Sequence, residues 1–271
     1  MTAPATGVVA GVSVDVTDDV ATVRFGSGKR LNALGMADWI ELESAVSALS
    51  EDDSLRAVIL RGRGGAFCSG SQLGEWNDAS PEEVRHSFER MELAFRAIED
   101  LSVPTVAVVE GVAAGGGLQL ALACDLQLTA AGARVGMPIS RLGILVPASF
   151  AARLSLRIGP ARAKELLYGG TLLQAEAAYS IGLITSVAPE ECLDQDLEAL
   201  LRAWAELPAA SLRAAKAAVE RGLFPLTDPV RREPLDRVAD PLEFPRRVAA
   251  FLRRSRGLAR VREPGTSDHE A

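Results

Sequence analysis

Thirty-six Asp and Glu residues, two histidines and three cysteines are the side chains of this 271-residue chain best suited to moving protons, holding a metal or attacking an electrophile. The carboxylates leave paired acid–base work open. His86 and His269 are too few for a histidine-based zinc site or a Ser-His-Asp triad. Cys68, Cys124 and Cys192, odd in number and widely spaced, read as free thiols of a reducing compartment. A net charge of −7 without a basic stripe argues against nucleic acid, because phosphate binding needs clustered cations.

Two glycine-rich stretches could present backbone N–H groups to an anion. Gly26-Ser27-Gly28-Lys29-Arg30 falls short of a phosphate-binding loop, since Val23 and Arg30 stand where a glycine and a Ser or Thr are needed. Gly111-Val112-Ala113-Ala114-Gly115-Gly116-Gly117 comes after an apolar run and opens a helical pattern but lacks the dinucleotide spacing. Consecutive glycines at such a turn allow close backbone approach, and the positive end of a helix favours negative charge. Close helix–strand packing would explain one of these glycines and less easily three.

These loops need elements to hold them. Alternation over 12–16 and 20–25 predicts a β-hairpin, and apolar runs at 56–62, 104–111 and 125–131 predict buried strands. Helical spacing covers residues 36–49, 81–100 and 117–124, so strands and helices alternate as in an α/β fold with crossovers. From 148 onward helices dominate: 148–157, 160–168, 174–181, 190–206, 209–221 and 248–257, interrupted by the apolar stretch 183–187. The Pro- and Arg-rich segment 222–245 reads as irregular, and 258–271 as a frayed polar tail. Residues 1–10 lack a secretory pattern and 103–127 is too interrupted for a membrane span, so a cytoplasmic protein with no membrane partner is expected.

Leu31-Asn32-Ala33-Leu34, Ala66-Phe67-Cys68-Ser69-Gly70-Ser71-Gln72-Leu73 and the run from Gly111 to Cys124-Asp125 together resemble the crotonase superfamily, the enoyl-CoA hydratase/isomerase family. The likeness continues through Met137-Pro138, Arg153-Leu154, Gly159-Pro160-Ala161-Arg162-Ala163 and Gly182-Leu183 to Ala250-Phe251-Leu252, covering roughly residues 10–255. The resemblance implies a crotonase-like spiral of ββα units (1–200), a C-terminal helical oligomerisation region (201–257), and assembly as a homotrimer or hexamer. The C-terminal helix and the segment before it would then pack on a neighbouring subunit. It further implies an acyl-CoA thioester as substrate or ligand within fatty acid metabolism, with no separate cofactor and no metal. The backbone N–H groups of Ser71 and Gly116 would form an oxyanion hole, Ala66, Cys68 and Ser69 would cradle coenzyme A, and Lys29 would lie near its phosphates.

The family's hydratases use two glutamates for acid–base work, and here those positions are Gln119 and Ile139. Gln119 exchanges no proton near neutrality and Ile139 offers no polar chemistry. Standard hydration is therefore not expected of this chain. Glu75, Asp78 and His86 are the candidate substitute acids or bases, each with an ordinary surface role as the alternative; Ser140 and Arg141 border the Ile139 position. The residues are compatible with two functions. One is an enzyme of the lyase or isomerase class using the oxyanion hole for decarboxylation, thioester hydrolysis or an atypical isomerisation. The other is a noncatalytic long-chain acyl-CoA-binding protein, which the apolar positions Ile139, Val146 and Phe150 favour.

Overall fold

A computed structural model describes residues 7–9, 11–235 and 237–262. The expected hairpin is present: β2 (Val12–Thr17) and β3 (Val20–Phe25) pair antiparallel, and β1 (Gly7–Val9) adds to β2. After α1 (Met36–Leu49) the chain forms β4 (Ala57–Gly62), α2 (Pro81–Glu99), β5 (Thr105–Val109), β6 (Val112–Ala114), α3 (Gly116–Ala123), β7 (Leu126–Ala130) and β8 (Arg134–Gly136). It continues with α4 (Ala148–Gly169), β9 (Leu172–Gln174), α5 (Ala175–Ser180), β10 (Ser186–Ala188), α6 (Leu193–Ala205), α7 (Ala209–Arg231) and α8 (Glu243–Arg262).

The larger sheet runs β1-β2-β3-β4-β5-β7-β10, parallel from β3 onward. Its interior strands β4 and β5 carry the apolar runs Ala57–Leu60 and Val106–Val109 because both faces are covered. A second sheet, β6-β8-β9, is extended by isolated parallel bridges between Cys68 and Ala113 and between Leu34 and Ser71. Each turn of the chain thus contributes a strand to the first sheet, a strand or bridge to the second, and then a helix. This is the spiral of ββα units that the resemblance implied.

Asn32 fastens the turns together from a fully buried position. Its Nδ2 donates to Arg63 O and Ala66 O, both at 2.7 Å, while its Oδ1 accepts from Gly28 N at 2.8 Å. Arg30, Leu31 and Asn32 all have positive φ, costly for side chains other than Asn and sustained here by those bonds.

The C-terminal half departs from expectation at two places. Residues 222–231 are helical, not irregular: α7 runs through Pro225 and Pro229 to Arg231. Proline inside a helix removes a backbone bond. Tertiary contacts offset that loss, since Arg231 bridges Glu99 at 3.0 Å and Asp100 at 2.8 Å and its carbonyl accepts from Arg96. Second, α8 continues to Arg262, so the tail expected from 258 is helical as far as the described residues extend; 263–271 lie outside them. The start of α8 packs on its own chain. Phe244 and Val248 are buried, Phe244 lies 5.8 Å from Trp76 between ring centroids, and Asp240 N donates to Gly143 O. The two short helices expected at 148–157 and 160–168 are the halves of α4, broken at Gly159, where φ is +75°.

Candidate active site

Two backbone amides converge where the Ser71 loop meets the start of α3. In the Leu34–Ser71 bridge, Leu34 N donates to Gly70 O (2.9 Å) and Gln72 N donates to Leu34 O (2.8 Å). Strand alternation then turns the N–H of Ser71 to the opposite side. Gly116 is the first residue of α3, whose leading N–H groups have no intrahelical acceptor. Among the described residues neither amide meets an acceptor.

The glycines make this approach possible. Gly70 has φ +98°, and a Cβ on it would lie 2.9 Å from Ala114 O and 3.3 Å from Gly116 N. A Cβ on Gly117 would stand 2.0 Å from Cys68 O, inside any allowed contact. With Gly115 at φ +56°, packing and turn geometry account for more of the triple glycine than the sequence suggests.

Apolar and aromatic side chains close the site. Met91 of α2 reaches the position of a Gly116 Cβ (3.1 Å to Sδ), and Ser71 Oγ donates to the same sulfur at 3.1 Å. Trp39, fully buried on α1, brings Cζ2 to 3.5 Å from that position, and its Nε1 has no partner. From Trp39 the aromatic contacts run to Phe95, Phe150, Phe88 and Trp76, with centroid separations of 5.4–5.9 Å. Gln119, one turn along α3 from Gly116, has zero exposure; its Nε2 donates to Phe150 O at 3.4 Å and its Oε1 is left without a donor. Ile139 is buried, with Cγ2 at 3.5 Å from the Cβ position of Gly115. Ser71, Gly116, Gln119 and Ile139 are therefore brought together.

The substitute acid–base candidates are not drawn into these contacts. Glu75 Oε2 accepts from Met36 N at 2.9 Å, capping α1. With Asp78 and Glu83 it lines a cavity of about 370 Å³. Asp78 is exposed and accepts from Asn77 Nδ2. His86 has 53% of its side chain exposed and, among the described residues, pairs with Glu89 at 3.4 Å. Ser140 Oγ donates to Leu167 O and Arg141 Nη2 to Gly169 O, so both tie the Ile139 segment to α4.

The backbone expected to cradle coenzyme A is partly engaged within the protein. Cys68 N donates to Val112 O and Ser69 N to Leu31 O, each at 2.9 Å, so neither amide is free. Ala66 O is taken by Asn32. Lys29 is exposed at the edge of this loop, and its side chain meets no acidic partner among the described residues. Burial pushes the Cys68 thiol up to about 12, which keeps it protonated and inert.

Behind the aromatic wall lies a charge cluster that no sequence pattern announced. Arg153 reaches Glu92 at 2.7 Å and Glu99 at 2.6 Å, and Ser149 Oγ donates to Glu92. Burial opposes the Arg153 cation, but the facing Glu99 and Glu92 carboxylates overcome it and hold its pKa above the ordinary value. Trp39, Met91 and this cluster were missed because their significance lies in contacts between distant helices. No grouping of His, Cys, Asp and Glu among the described residues could hold a metal ion.

Known proteins share this fold. Residues 15–233 match the description of a family, enoyl-CoA hydratase/isomerase. An enoyl-CoA isomerase/hydratase from Mycosarcoma maydis is 41% identical over 175 residues, 64% of each chain. A crotonyl-CoA hydratase from Syntrophomonas wolfei is 32% identical, over 68% of this chain and 72% of the relative. The chain thus spans less than two thirds of the Mycosarcoma relative's length. A crystal structure of an enoyl-CoA hydratase from Mycobacterium avium superposes with a TM-score of 0.80 at 26% identity, covering 90% of this chain and 99% of that one. An enoyl-CoA hydratase from Bacillus anthracis gives 0.75 at 28% identity, with 94% and 98% covered.

Proposed function

Since the chain belongs to the enoyl-CoA hydratase/isomerase family, we propose that it binds an acyl-CoA thioester with the thioester oxygen between the N–H groups of Ser71 and Gly116. The observation that carries this reading is the pair of acceptor-free amides held together by Gly70 and the start of α3. A thioester enolate or tetrahedral adduct concentrates negative charge on one oxygen. Fixed amide donors stabilise that charge without reorganising, each contributing about 3–4 kcal/mol to lowering a barrier. Because the donors are backbone groups, the hydroxymethyl side chain of Ser71 does not alter the hole; it turns to Met91.

The chemistry at the α and β carbons differs from hydration of crotonyl-CoA. An activated water needs a base and a deliverable proton, and the facing side chains are the Gln119 amide and Ile139. Reactions that create the enolate without a protein base remain within reach. Loss of carbon dioxide from a malonyl-type thioester breaks the C–C bond and leaves its electron pair in the enolate, which solvent then protonates. Thioester hydrolysis and atypical isomerisation draw on the same hole.

The aromatic and aliphatic walls around Gln119 favour a second reading, in which the protein holds a long acyl chain without turnover. One incubation distinguishes the two. Crotonyl-CoA, methylmalonyl-CoA and palmitoyl-CoA are offered in D₂O, and binding, product and α-deuteration are monitored together. Decarboxylation or α-exchange without hydration supports the enzyme. Tight palmitoyl-CoA binding with neither supports the binder, and absence of any thioester binding contradicts both.

A further inference from the structure

Glycine stands at the start of α1 for a reason that lies outside the helix. The backbone angles of Gly35, φ −81° and ψ 177°, suit any residue, so no turn requires it. Its missing side chain makes room: a Cβ there would come within 2.2 Å of Glu75 Oε1 and 3.0 Å of Glu75 Cδ. Glycine also offers no side chain to cap the helix, whose leading N–H groups lack intrahelical acceptors. Gly35 N donates to Asp38 Oδ2 at 2.8 Å, and the next amide, Met36 N, donates to Glu75 Oε2 at 2.9 Å. A carboxylate 39 positions away thus takes the place of an N-cap side chain, where the helix dipole favours negative charge.

This tie joins the two halves of the amide pair. On its own side, Glu75 N donates to Gln72 O at 2.9 Å, one residue beyond Ser71. Leu34, two residues before Met36, brackets Ser71 through its bonds to Gly70 O and Gln72 N. Segments 34–36 and 70–75 are therefore fastened at three points; Ser71 lies between the first two, and Glu75 supplies the third. On the α1 side, Trp39 N donates to Gly35 O at 3.1 Å, and the Trp39 ring backs Gly116 with Cζ2 at 3.5 Å from its Cβ position. The far end of the short Leu73–Trp76 turn is held by Trp76 against Phe88 and Phe244, which fixes it to α2 and α8. Glu83 and Asp78, which line the same cavity as Glu75, accept instead from neighbours in sequence, Ser80 N and Asn77 Nδ2.

We infer that Glu75 is a positioning residue of the amide pair. Its carboxylate, seated over Gly35 on the N-terminus of α1, fixes the Ser71 amide relative to the helix that backs Gly116. The inference rests on the thioester placement proposed above and adds a residue to it. Without the carboxylate the loop is left on the Leu34 bridge and Trp76, free to rock about that bridge. Hydrogen bonds to an oxygen weaken steeply as their angle and length depart from the optimum, so the loss falls on ligands that carry the oxygen.

Calorimetric titration of the full chain with crotonyl-CoA, and with the matching S-(2-butenyl) thioether of coenzyme A, separates this role from a purely structural one. The thioether has no carbonyl oxygen. The wild type should prefer the thioester, and Glu75→Ala should reduce that preference about three- to tenfold, the scale of one hydrogen bond, with thioether affinity unchanged. Gly35→Ala displaces the carboxylate from its seat while leaving Glu75 in the chain, and should reproduce the loss. The double variant should lose no more than either single one. Circular dichroism should match the wild type throughout, since Glu75 is exposed and alanine accepts the backbone angles of Gly35. Either single variant carries the test by itself. A thioester preference unchanged in Glu75→Ala and Gly35→Ala overturns the role of Glu75 and leaves the thioester placement standing. Losses that add in the double variant overturn it too, because two independent effects would be at work. So does a fall in affinity equal for the two ligands, the mark of general loosening. A wild type without preference for the thioester contradicts the placement itself, and the role of Glu75 with it.

Discussion

Gln119 concentrates the chemical question in one side chain. It is buried, donates from Nε2 to Phe150 O, and leaves Oε1 orphaned. A buried acceptor without a donor costs about 1–3 kcal/mol, and Phe150 O is a helix carbonyl with a second lone pair to spare. Gln119→Leu should therefore raise the unfolding free energy of the ligand-free protein by about 1 kcal/mol in urea denaturation. An unchanged or lower midpoint would mean that Oε1 is already satisfied. The family resemblance, through a fixed offset from the glycine run and from Pro138, placed the family's two acid positions at Gln119 and Ile139. It could not show which partners Glu75, Asp78 and His86 take. Glu75 is engaged by the N-terminus of α1, a contact between residues 39 positions apart.

At the scale of elements, the site is an abutment of two turns of the spiral. Gly70 must have no side chain, because its Cβ would press on Ala114 O and on the Gly116 amide at a φ of +98°. Gly70→Ala should keep the far-ultraviolet circular dichroism of the wild type while weakening acyl-CoA affinity at least about tenfold, the equivalent of roughly 1.4 kcal/mol. Unaltered affinity in the folded variant would separate Gly70 from the site. Between residues 12 and 130 the strand and helix order was legible, the three-residue β6 excepted, because buried strands and amphipathic helices differ in hydrophobic period. The extension of α7 through Pro225 and Pro229 was not, because long-range pairs at Arg231 outweigh local propensity. The seating of α8 against Trp76 was hidden for the same reason.

For the whole molecule, the Glu92–Arg153–Glu99–Arg231 cluster joins α2, α4 and α7, and it makes stability depend on acid. Burial raises the Glu99 pKa, but Arg153 and Arg231 overcome that and hold it below the ordinary 4.5. A carboxyl with a lowered folded pKa stabilises fully above its unfolded value, and that contribution disappears as pH falls through the folded one. Glu99→Gln should therefore be less stable than the wild type at about pH 7, with the gap narrowing below about pH 4.5. A gap independent of pH would show that Glu99 acts by packing alone. Arg153 marks the boundary of what sequence reveals: its place in a family-like motif was visible, but its carboxylate partners 54 and 61 positions away were not.

A thioester oxygen seated between the amides of Ser71 and Gly116 is the feature on which both functional readings depend. The vibrational spectrum of thioester-labelled [¹³C]crotonyl-CoA bound to the protein reports on that oxygen directly. The carbonyl stretch should move to lower frequency in the wild-type complex, because two fixed donors polarise the bond, and Gly70→Ala should return it toward the free value in whatever complex still forms. A bound thioester whose carbonyl frequency equals that of the free ligand would contradict this placement.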